Sequence, residues 1–265
     1  MLNFAANLSM LYGELPFLDR FAAAGRAGFS GVEYVGPYAF EAADIAERLK
    51  AAKLAQVLFN FPAGDWDAGE RGITCLPDRI EEFRAGVPKA IAYAKALGCT
   101  RINALAGKAP VGVDPALLRA TFVANLRFAA QALADAGIEL VIEAINTRDI
   151  PGFFLSTSAQ AFAVMDDVGH ANCRFQYDIY HMQRMEGELA ATIERNLARI
   201  GHIQLADNPG RHEPGSGEIN YAYLFSVLER LNYAGWIGCE YVPHTTTDAG
   251  LGWLIAYRQA QHATT

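Results

Sequence analysis

The sequence predicts an α/β protein folded as a closed (β/α)8 barrel, the TIM-barrel class. Short runs rich in aromatic and β-branched residues alternate with longer segments whose apolar residues recur at helical spacing, and eight such pairs follow one another. The 265 residues are close to the roughly 250 of a typical barrel, and no linker or low-complexity stretch divides them. We therefore expect a single domain over residues 1–265.

The candidate strands are short, are bounded by Gly, Asn or Pro, and consist of nearly continuous apolar runs. This pattern is typical of parallel strands that are covered on both faces. The predicted strands are residues 3–8, 31–35, 55–61, 101–107, 139–145, 174–180, 201–207 and 235–241. No strand is followed by a glycine-rich phosphate-binding motif, which disfavours an open nucleotide-binding sheet. Pro88 lies inside the third helical segment, where we expect a kink or a break.

The composition disfavours several classes of protein. A net charge of −7 argues against a nucleic-acid binder, which needs a basic face, although a local group of cations can still bind a small anion. No apolar run reaches the roughly 18 residues of a membrane helix, and the first residues lack the features of a signal peptide. The four cysteines form no C-x-x-C pair, so we expect buried, reduced thiols and a cytoplasmic location.

Four consecutive strands carry a carboxylate or amide at or near their carboxyl ends, which meet at one face of a barrel. These residues are Glu143, Asp178, Gln204 and Glu240. Alone, each has a structural interpretation, such as a carboxylate paired with arginine or an amide bonded to the backbone. Together, three carboxylates are very costly to bury without a cation, because like charges repel strongly at low dielectric. The oxygen-only ligand set predicts a divalent metal ion, with Mg²⁺ or Mn²⁺ favoured.

The loops on the same face supply candidate substrate contacts. His181 lies three residues after Asp178, where we expect it to donate a hydrogen bond to a substrate oxygen, although a lone histidine is often structural. The segment 60–72 is rich in glycine and charge, as in a substrate loop or lid, with an ordinary solvated loop as the alternative. The predicted substrate contacts are His181, Asn60, Trp66, Arg71, Lys108 and Arg211.

Five longer stretches carry a resemblance to a known family. FAANLSMLYGELPFLDRF, FPAGDWDAGERG, QYDIYHMQRMEGEL, HIQLADNPGRHEPGSGEINY and GWIGCEY resemble the hydroxypyruvate isomerase family of the xylose-isomerase-like TIM barrels. The resemblance runs from about residue 3 to 257. It implies a divalent metal ion held by Glu143, Asp178, Gln204 and Glu240, with Glu143 and Glu240 as the catalytic pair. It also places His181 where relatives contact the substrate.

The activity implied by the resemblance is the interconversion of hydroxypyruvate and tartronate semialdehyde through a cis-enediolate. It further implies a small anionic hydroxy- or oxo-acid substrate and is compatible with a homo-oligomer. Two positions depart from the family pattern. Phe59 resembles the sister 2-oxo-tetronate isomerases, whereas the loop GDWDAGERG resembles the hydroxypyruvate enzymes; Val242 replaces the Lys or Gln that follows the tyrosine in the family.

Three alternatives follow from the same residues. Isomerisation or epimerisation of a longer sugar acid or ketose, such as a 2-oxo-tetronate, uses the same site. A sugar-acid binding protein without turnover is the alternative outside enzymes. An abasic-site endonuclease shares the superfamily, but six histidines in all and a net charge of −7 argue against its histidine-rich metal site and its basic DNA face.

Overall fold

The computed structural model describes residues 1–263, and its eight strands form a closed barrel in sequence order. All neighbouring strands are parallel, and β1 pairs with both β2 and β8. The strands are β1 Asn3–Asn7, β2 Gly31–Tyr34, β3 Ala55–Asn60, β4 Arg101–Asn103, β5 Glu139–Glu143, β6 Cys173–Asp178, β7 Ile200–Leu205 and β8 Trp236–Cys239. The predicted TIM barrel is confirmed.

Helices follow the strands and cover the outside of the barrel. They are α1 Phe17–Arg26, α2 Ala42–Ala52, α3 Ile80–Leu97, α4 Pro115–Asp135, α5 Ser158–Val168, α6 Ile179–Met185, α7 Leu189–Asn196, α8 Tyr221–Arg230 and α9 Gly252–Ala263. No helix of the described range is both long and apolar enough to cross a membrane.

Two local predictions are corrected. The helix α3 runs through Pro88 without a break. Pro88 lies on the exposed side of the helix, so the carbonyl group that loses its donor there can bond to water. The predicted sixth strand extended to residue 180, but the strand ends at Asp178 and α6 begins at Ile179.

The core lies mainly between the barrel and its helices, and all four cysteines are buried and unpaired there. The predicted burial of the cysteines is therefore confirmed. A smaller apolar cluster is separate from this core; it consists of Ala5, Val57, Leu58 and Val141, with Trp236 packed against it. Glu33 of β2 is fully buried beside β8, where a Cβ atom on Gly238 would lie only 2.2 Å from its Oε1 atom. The glycine therefore makes room for a buried carboxylate.

We predict that Gly238→Ala destabilises the protein by about 1–3 kcal/mol, because the added methyl group forces the Glu33 carboxylate out of its position. Gly252→Ala is the matched control, since nothing lies within 4 Å of a Cβ atom at that helical position. Urea denaturation of both variants measures the difference. Equal midpoints for the two variants would contradict the close approach of Gly238 and Glu33.

Candidate metal centre

Asp178 is held at the junction of β6 and α6. Its Oδ1 atom accepts hydrogen bonds from the backbone N–H groups of Tyr180, at 2.8 Å, and His181, at 3.3 Å. This cap begins α6 immediately after the strand and brings His181 to the carboxyl end of the barrel. The other carboxylate oxygen, Oδ2, is buried without a hydrogen-bond partner. A buried carboxylate oxygen of this kind is costly unless a cation lies near it.

Glu143 ends β5 beside this group. Asn103 of β4 donates a hydrogen bond to Glu143 Oε2 at 3.0 Å, and Glu143 Oε1 lies 3.8 Å from His181 Nε2. The Nε2 atom of His181 lies 3.5 Å from Asp178 Oδ2. Glu143, Asp178 and His181 each offer one possible ligand atom, and these atoms lie within 4.8 Å of one another. The buried cluster is therefore suited to a metal ion.

Glu240, immediately after β8, joins the cluster through Arg211. The Nη2 atom of Arg211 lies 3.1 Å from Glu240 Oε2 and 3.5 Å from Asp178 Oδ2. The backbone of Arg211 has a φ of 57°, in the left-handed region that non-glycine residues rarely adopt. The arrangement places one guanidinium between two carboxylates that would otherwise repel each other.

The loop that carries Arg211 is fastened by Asp207 at its start. One Asp207 oxygen, Oδ2, accepts hydrogen bonds from the backbone N–H groups of Gly215 and Gly217 at 2.8 and 2.9 Å. The other, Oδ1, accepts one from Ile219 at 3.0 Å. These bonds stabilise the loop conformation and thereby the strained backbone at Arg211.

Gln204 of β7 belongs to a buried polar group that includes Glu33, Gln176 and His202. Its Nε2 atom donates to Glu33 Oε1 at 2.7 Å, and its Oε1 atom accepts a bond from Gln176 at 2.6 Å. Glu33 also accepts a bond from Asn7 at 3.0 Å and contacts His202 Nε2 at 2.7 Å. Because Glu33 fixes the amide nitrogen, only the oxygen of Gln204, which has a second lone pair, is available to a metal ion.

Burial and mutual repulsion change the protonation of the carboxyl groups. Burial, with the charges of Glu240 and Asp178, raises the pKa of Glu143 well above its usual value. Burial also raises the pKa of Asp178, against the opposing charge of Arg211. The pKa of Glu240 rises to about 8 through burial, again opposed by Arg211. Burial, aided by the positive charges of Arg211 and Arg184, lowers the pKa of His181 well below its usual value, so its imidazole is neutral.

The predicted metal ligands lie in two groups. Glu143 and Asp178 lie in one cluster with His181, and Arg211 links Glu240 to it. Gln204 is the register partner of Asp178 across β6 and β7, but its side chain bonds to Glu33. Asp178 Oδ2 accepts no hydrogen bond and has only the Arg211 guanidinium, 3.5 Å away, as a cationic neighbour, so it can still bind a divalent cation.

The other predicted substrate contacts lie outside this cluster. Asn60 ends β3, and its carbonyl oxygen accepts a bond from Tyr38 at 2.8 Å. The Arg71 guanidinium lies 4.1 Å from the ring centre of Trp66 and donates to the Trp66 carbonyl. The ammonium group of Lys108 lies near Gly69 of the same loop. Among residues 1–263, no hydrogen bond or ion pair joins Asn60, Trp66, Arg71 or Lys108 to the buried carboxylates; Arg211 alone of the predicted cations makes one.

Asn146 was missed by the sequence analysis. It lies three residues after Glu143, and its Nδ2 atom is 2.7 Å from His181 Nδ1. The segment Asn146–Asp149 reads Asn-Thr-Arg-Asp directly after a strand, a typical setting for an asparagine that bonds to its own following backbone. That signal predicts a turn, but it does not predict the contact with a histidine 35 residues away.

Comparisons with known proteins agree with this geometry. Residues 21–257 match the xylose isomerase-like TIM barrel family. The chain is 56% identical to the hydroxypyruvate isomerase of Escherichia coli (strain K12), over 97% of this chain and 100% of that protein. It is 51% identical to the 2-oxo-tetronate isomerase of Cupriavidus necator, over 97% of this chain and 99% of that protein.

A solved structure is similar throughout its length. The crystal structure of an AP endonuclease, family 2, from Brucella melitensis is 47% identical and has a TM-score of 0.94, covering 97% of this chain and 99% of that one. Both the sequence and the backbone are thus shared with relatives over nearly their whole lengths. The chain belongs to the hydroxypyruvate isomerase and 2-oxo-tetronate isomerase family of the xylose isomerase-like TIM barrels.

Proposed function

We propose that the protein is a metal-dependent isomerase of the aldose–ketose type that interconverts hydroxypyruvate and tartronate semialdehyde. The observation that carries the proposal is the buried group of Glu143, Asp178 and Glu240 around Arg211 at the carboxyl end of the barrel. The 56% identity to an enzyme named hydroxypyruvate isomerase supports the choice of substrate. The reduced thiols support a cytoplasmic location.

The proposed cofactor is Mg²⁺ or Mn²⁺, with Glu143, Asp178, Gln204 and Glu240 as its ligands. All four offer oxygen atoms, which these hard cations prefer. The partnerless Oδ2 atom of Asp178 and the fixed amide of Gln204 support the assignment. When bound, the ion supplies electrostatic stabilisation of negative charge on the substrate oxygens.

Glu143 and Glu240 form the proposed acid–base pair. The reaction moves a carbonyl group between adjacent carbons, so one carboxylate removes a proton beside the carbonyl and the other group returns one to the neighbouring carbon, through a cis-enediolate. A proton carrier works best when its pKa is near the operating pH. Burial raises the pKa of both residues, to about 8 for Glu240, and a bound cation opposes that rise, so the two effects together set the proton affinity of the pair.

The remaining predicted contacts are proposed to bind the substrate. Arg211 offers a positive charge inside the cluster, which suits the carboxylate of an oxo-acid. His181, neutral and buried, is proposed to donate to a substrate oxygen. Asn60, Trp66, Arg71 and Lys108 line or approach the loop after β3, which we propose closes over the substrate. The stacked pair of Arg71 and Trp66 gives that loop an aromatic and cationic surface.

A 2-oxo-tetronate is the second candidate substrate, supported by the 51% identity to an enzyme of that name. The position that resembles those enzymes, Phe59, is 0% exposed and packs edge-on against Tyr38 in the core between barrel and helices. Phe59 is therefore proposed to affect substrate specificity indirectly, through its packing against Tyr38. The backbone N–H of Val242 donates to the carbonyl of Arg211 at 2.9 Å. Val242 therefore contacts the loop that carries Arg211.

Assays with hydroxypyruvate and with two- to six-carbon oxo-acids and ketoses, each with and without added metal, distinguish these candidates. The highest kcat/KM on hydroxypyruvate supports the first proposal, and the highest on a four-carbon acid supports the second. A binding protein would be stabilised by these acids without turnover. DNA cleavage is not proposed, because the buried cluster in the described residues contains one histidine and the chain has a net charge of −7.

We predict that Glu143→Gln and Glu240→Gln each lower kcat by about 10²–10⁴, since each removes a proton carrier. Glu139→Gln is the matched control, because Glu139 begins the same strand as Glu143 and pairs with Arg101 at the opposite end of the barrel. Steady-state kinetics of the three variants provide the comparison. Near-normal turnover in one of the first two would remove that residue from the acid–base pair.

Proton transfer through an enediolate predicts exchange with solvent. In deuterium oxide, the isomerised product should carry deuterium at the carbon that receives the proton, which NMR or mass spectrometry of the product can measure. Complete retention of the original hydrogen would instead indicate a hydride shift between the two carbons.

Metal binding is predicted to be linked to pH. The carboxyl groups of Glu143, Asp178 and Glu240 have raised pKa values, so their neutral forms stabilise the folded chain at low pH and this contribution is lost as pH rises. A cation favours the charged forms. The gap in Tm between metal-loaded and chelated protein should therefore widen from about pH 5 to about pH 8, with loss of activity on chelation. A constant gap across this range would contradict the linkage.

A further inference from the structure

The Nε2 atom of His181 can be either a metal ligand or a hydrogen-bond donor, but not both. With a lone pair there it can bind a metal ion beside Glu143 and Asp178, whose carboxylate oxygens lie 3.8 and 3.5 Å away. With a proton there it can only donate a hydrogen bond. The choice is set at the other ring nitrogen, because a neutral imidazole carries its proton on one nitrogen only.

Asn146 occupies that other side of the ring. Its Nδ2 atom lies 2.7 Å from His181 Nδ1, and both side chains are buried, with 0% and 1% exposure. At this distance one of the two nitrogen atoms must donate and the other must accept. The orientation of the Asn146 amide group therefore decides the position of the imidazole proton.

The backbone fixes that orientation. The Oδ1 atom of Asn146 lies 3.1 Å from the backbone nitrogen of Arg148 and 2.8 Å from that of Asp149. Backbone N–H groups only donate, so the atom facing them must be the amide oxygen. On its other side, the Nδ2 atom lies 2.9 Å from the carboxylate oxygen Oδ2 of Asp149, which accepts. The NH₂ group of Asn146 therefore faces His181.

We propose that Asn146 is a positioning residue that holds His181 in the neutral form with its proton on Nε2. The Asn146 amide donates to Nδ1, which must offer its lone pair. His181 is then excluded from the metal ligands and instead directs an N–H group toward the carboxylate cluster. The part of the inference that concerns a substrate oxygen as its acceptor rests on the proposed isomerase function.

The neighbouring Arg211 would by itself favour the opposite arrangement, but the shorter contact with Asn146 opposes it. Its Nη2 atom lies 3.4 Å from His181 Nε2, which would suit a bond from the guanidinium to a lone pair there. That arrangement puts a proton on Nδ1, directly opposite the Asn146 amide nitrogen at 2.7 Å, and two donors cannot share that contact. The guanidinium has an acceptor already in Glu240 Oε2 at 3.1 Å.

A second set of contacts braces Asn146. Asp149 accepts from Asn146 and, on the same oxygen, from the Tyr180 hydroxyl group at 2.8 Å. Arg184 of α6 pairs with Asp149 and donates to the Tyr180 hydroxyl oxygen at 2.6 Å. The loop after β5 is therefore bonded to the helix that carries His181. These bonds hold the Asn146 amide opposite the His181 ring.

The direct test is NMR of the full-length protein with ¹⁵N-labelled histidine, with and without Mg²⁺. We expect His181 to carry its proton on Nε2 in both states. A proton on Nδ1, or loss of the Nε2 proton when Mg²⁺ is added, would overturn the inference. This outcome is independent of the substrate, so it is distinct from a failure of the isomerase assay, which would overturn the proposed function alone.

Asn146→Asp tests the positioning role. The new carboxylate can still accept from the backbone of Arg148 and Asp149, and it offers an acceptor to His181. Because it would also face the Asp149 carboxylate, to which Asn146 donates at 2.9 Å, Asp149→Asn is introduced with it to restore a donor there, and we expect the imidazole proton on Nδ1. We expect kcat to fall about 10- to 100-fold, with a smaller change in KM. Asn220→Asp is the matched control, because this exposed residue caps α8 and aspartate retains the cap. Unchanged protonation and kcat in the double variant would overturn the role.

His181→Phe separates the donor from a ligand. Phenylalanine retains an aromatic ring but has no ligand atom, so the Mg²⁺ dissociation constant, measured by calorimetry, should stay within a few-fold of that of the unaltered protein. Loss of a true ligand would weaken binding by far more than that. A large loss of Mg²⁺ affinity in this variant, together with an intact fold by circular dichroism, would place His181 among the ligands and overturn the inference.

Discussion

The burial of several carboxylates at one end of the barrel is the constraint on which the site depends. Glu143 and Asp178 are almost fully buried, and Glu240 lies close enough to raise the pKa of Glu143. Such a group is unstable unless protons, a guanidinium or a metal ion balance its charge. Arg211 supplies part of that balance, and it does so from a backbone conformation that few non-glycine residues adopt. In the proposed site, a divalent cation completes this balance and keeps the carboxylates charged, as a base must be.

The barrel meets this constraint with few elements. Parallel strands deliver their last side chains to one face, and the register pairs Asp178 with Gln204. Asp178 uses one oxygen to begin α6 and leaves the other without a partner, so a single residue both ends the strand and offers a ligand atom. Glu33 of β2 accepts a hydrogen bond from the amide nitrogen of Gln204 of β7 and so fixes the orientation of that amide. Structure and chemistry are therefore carried by the same carboxylates.

The sequence predicted the barrel and the set of polar strand ends because both depend on local patterns. Alternating apolar runs define the units, and a carboxylate inside an apolar run is conspicuous. What it did not predict depends on side chains that meet from distant parts of the chain. The contact of Asn146 with His181, the bond of Glu33 with Gln204 across 171 positions, and the left-handed backbone of Arg211 are of this kind. Of the kink or break predicted at Pro88, the break is absent; the exposure of Pro88 on α3 is a tertiary property that the local pattern does not contain.

In the proposed site, oxygen atoms alone hold the metal ion, and His181 faces it as a hydrogen-bond donor. A crystal structure of the protein loaded with Mn²⁺, with the ion located by its anomalous scattering, would distinguish this arrangement from one with a histidine ligand. We expect one ion bound to the side-chain oxygens of Glu143, Asp178, Gln204 and Glu240, with the Nε2 atom of His181 outside the coordination sphere. An ion bound to His181 Nε2, or none within the carboxylate cluster, would contradict it.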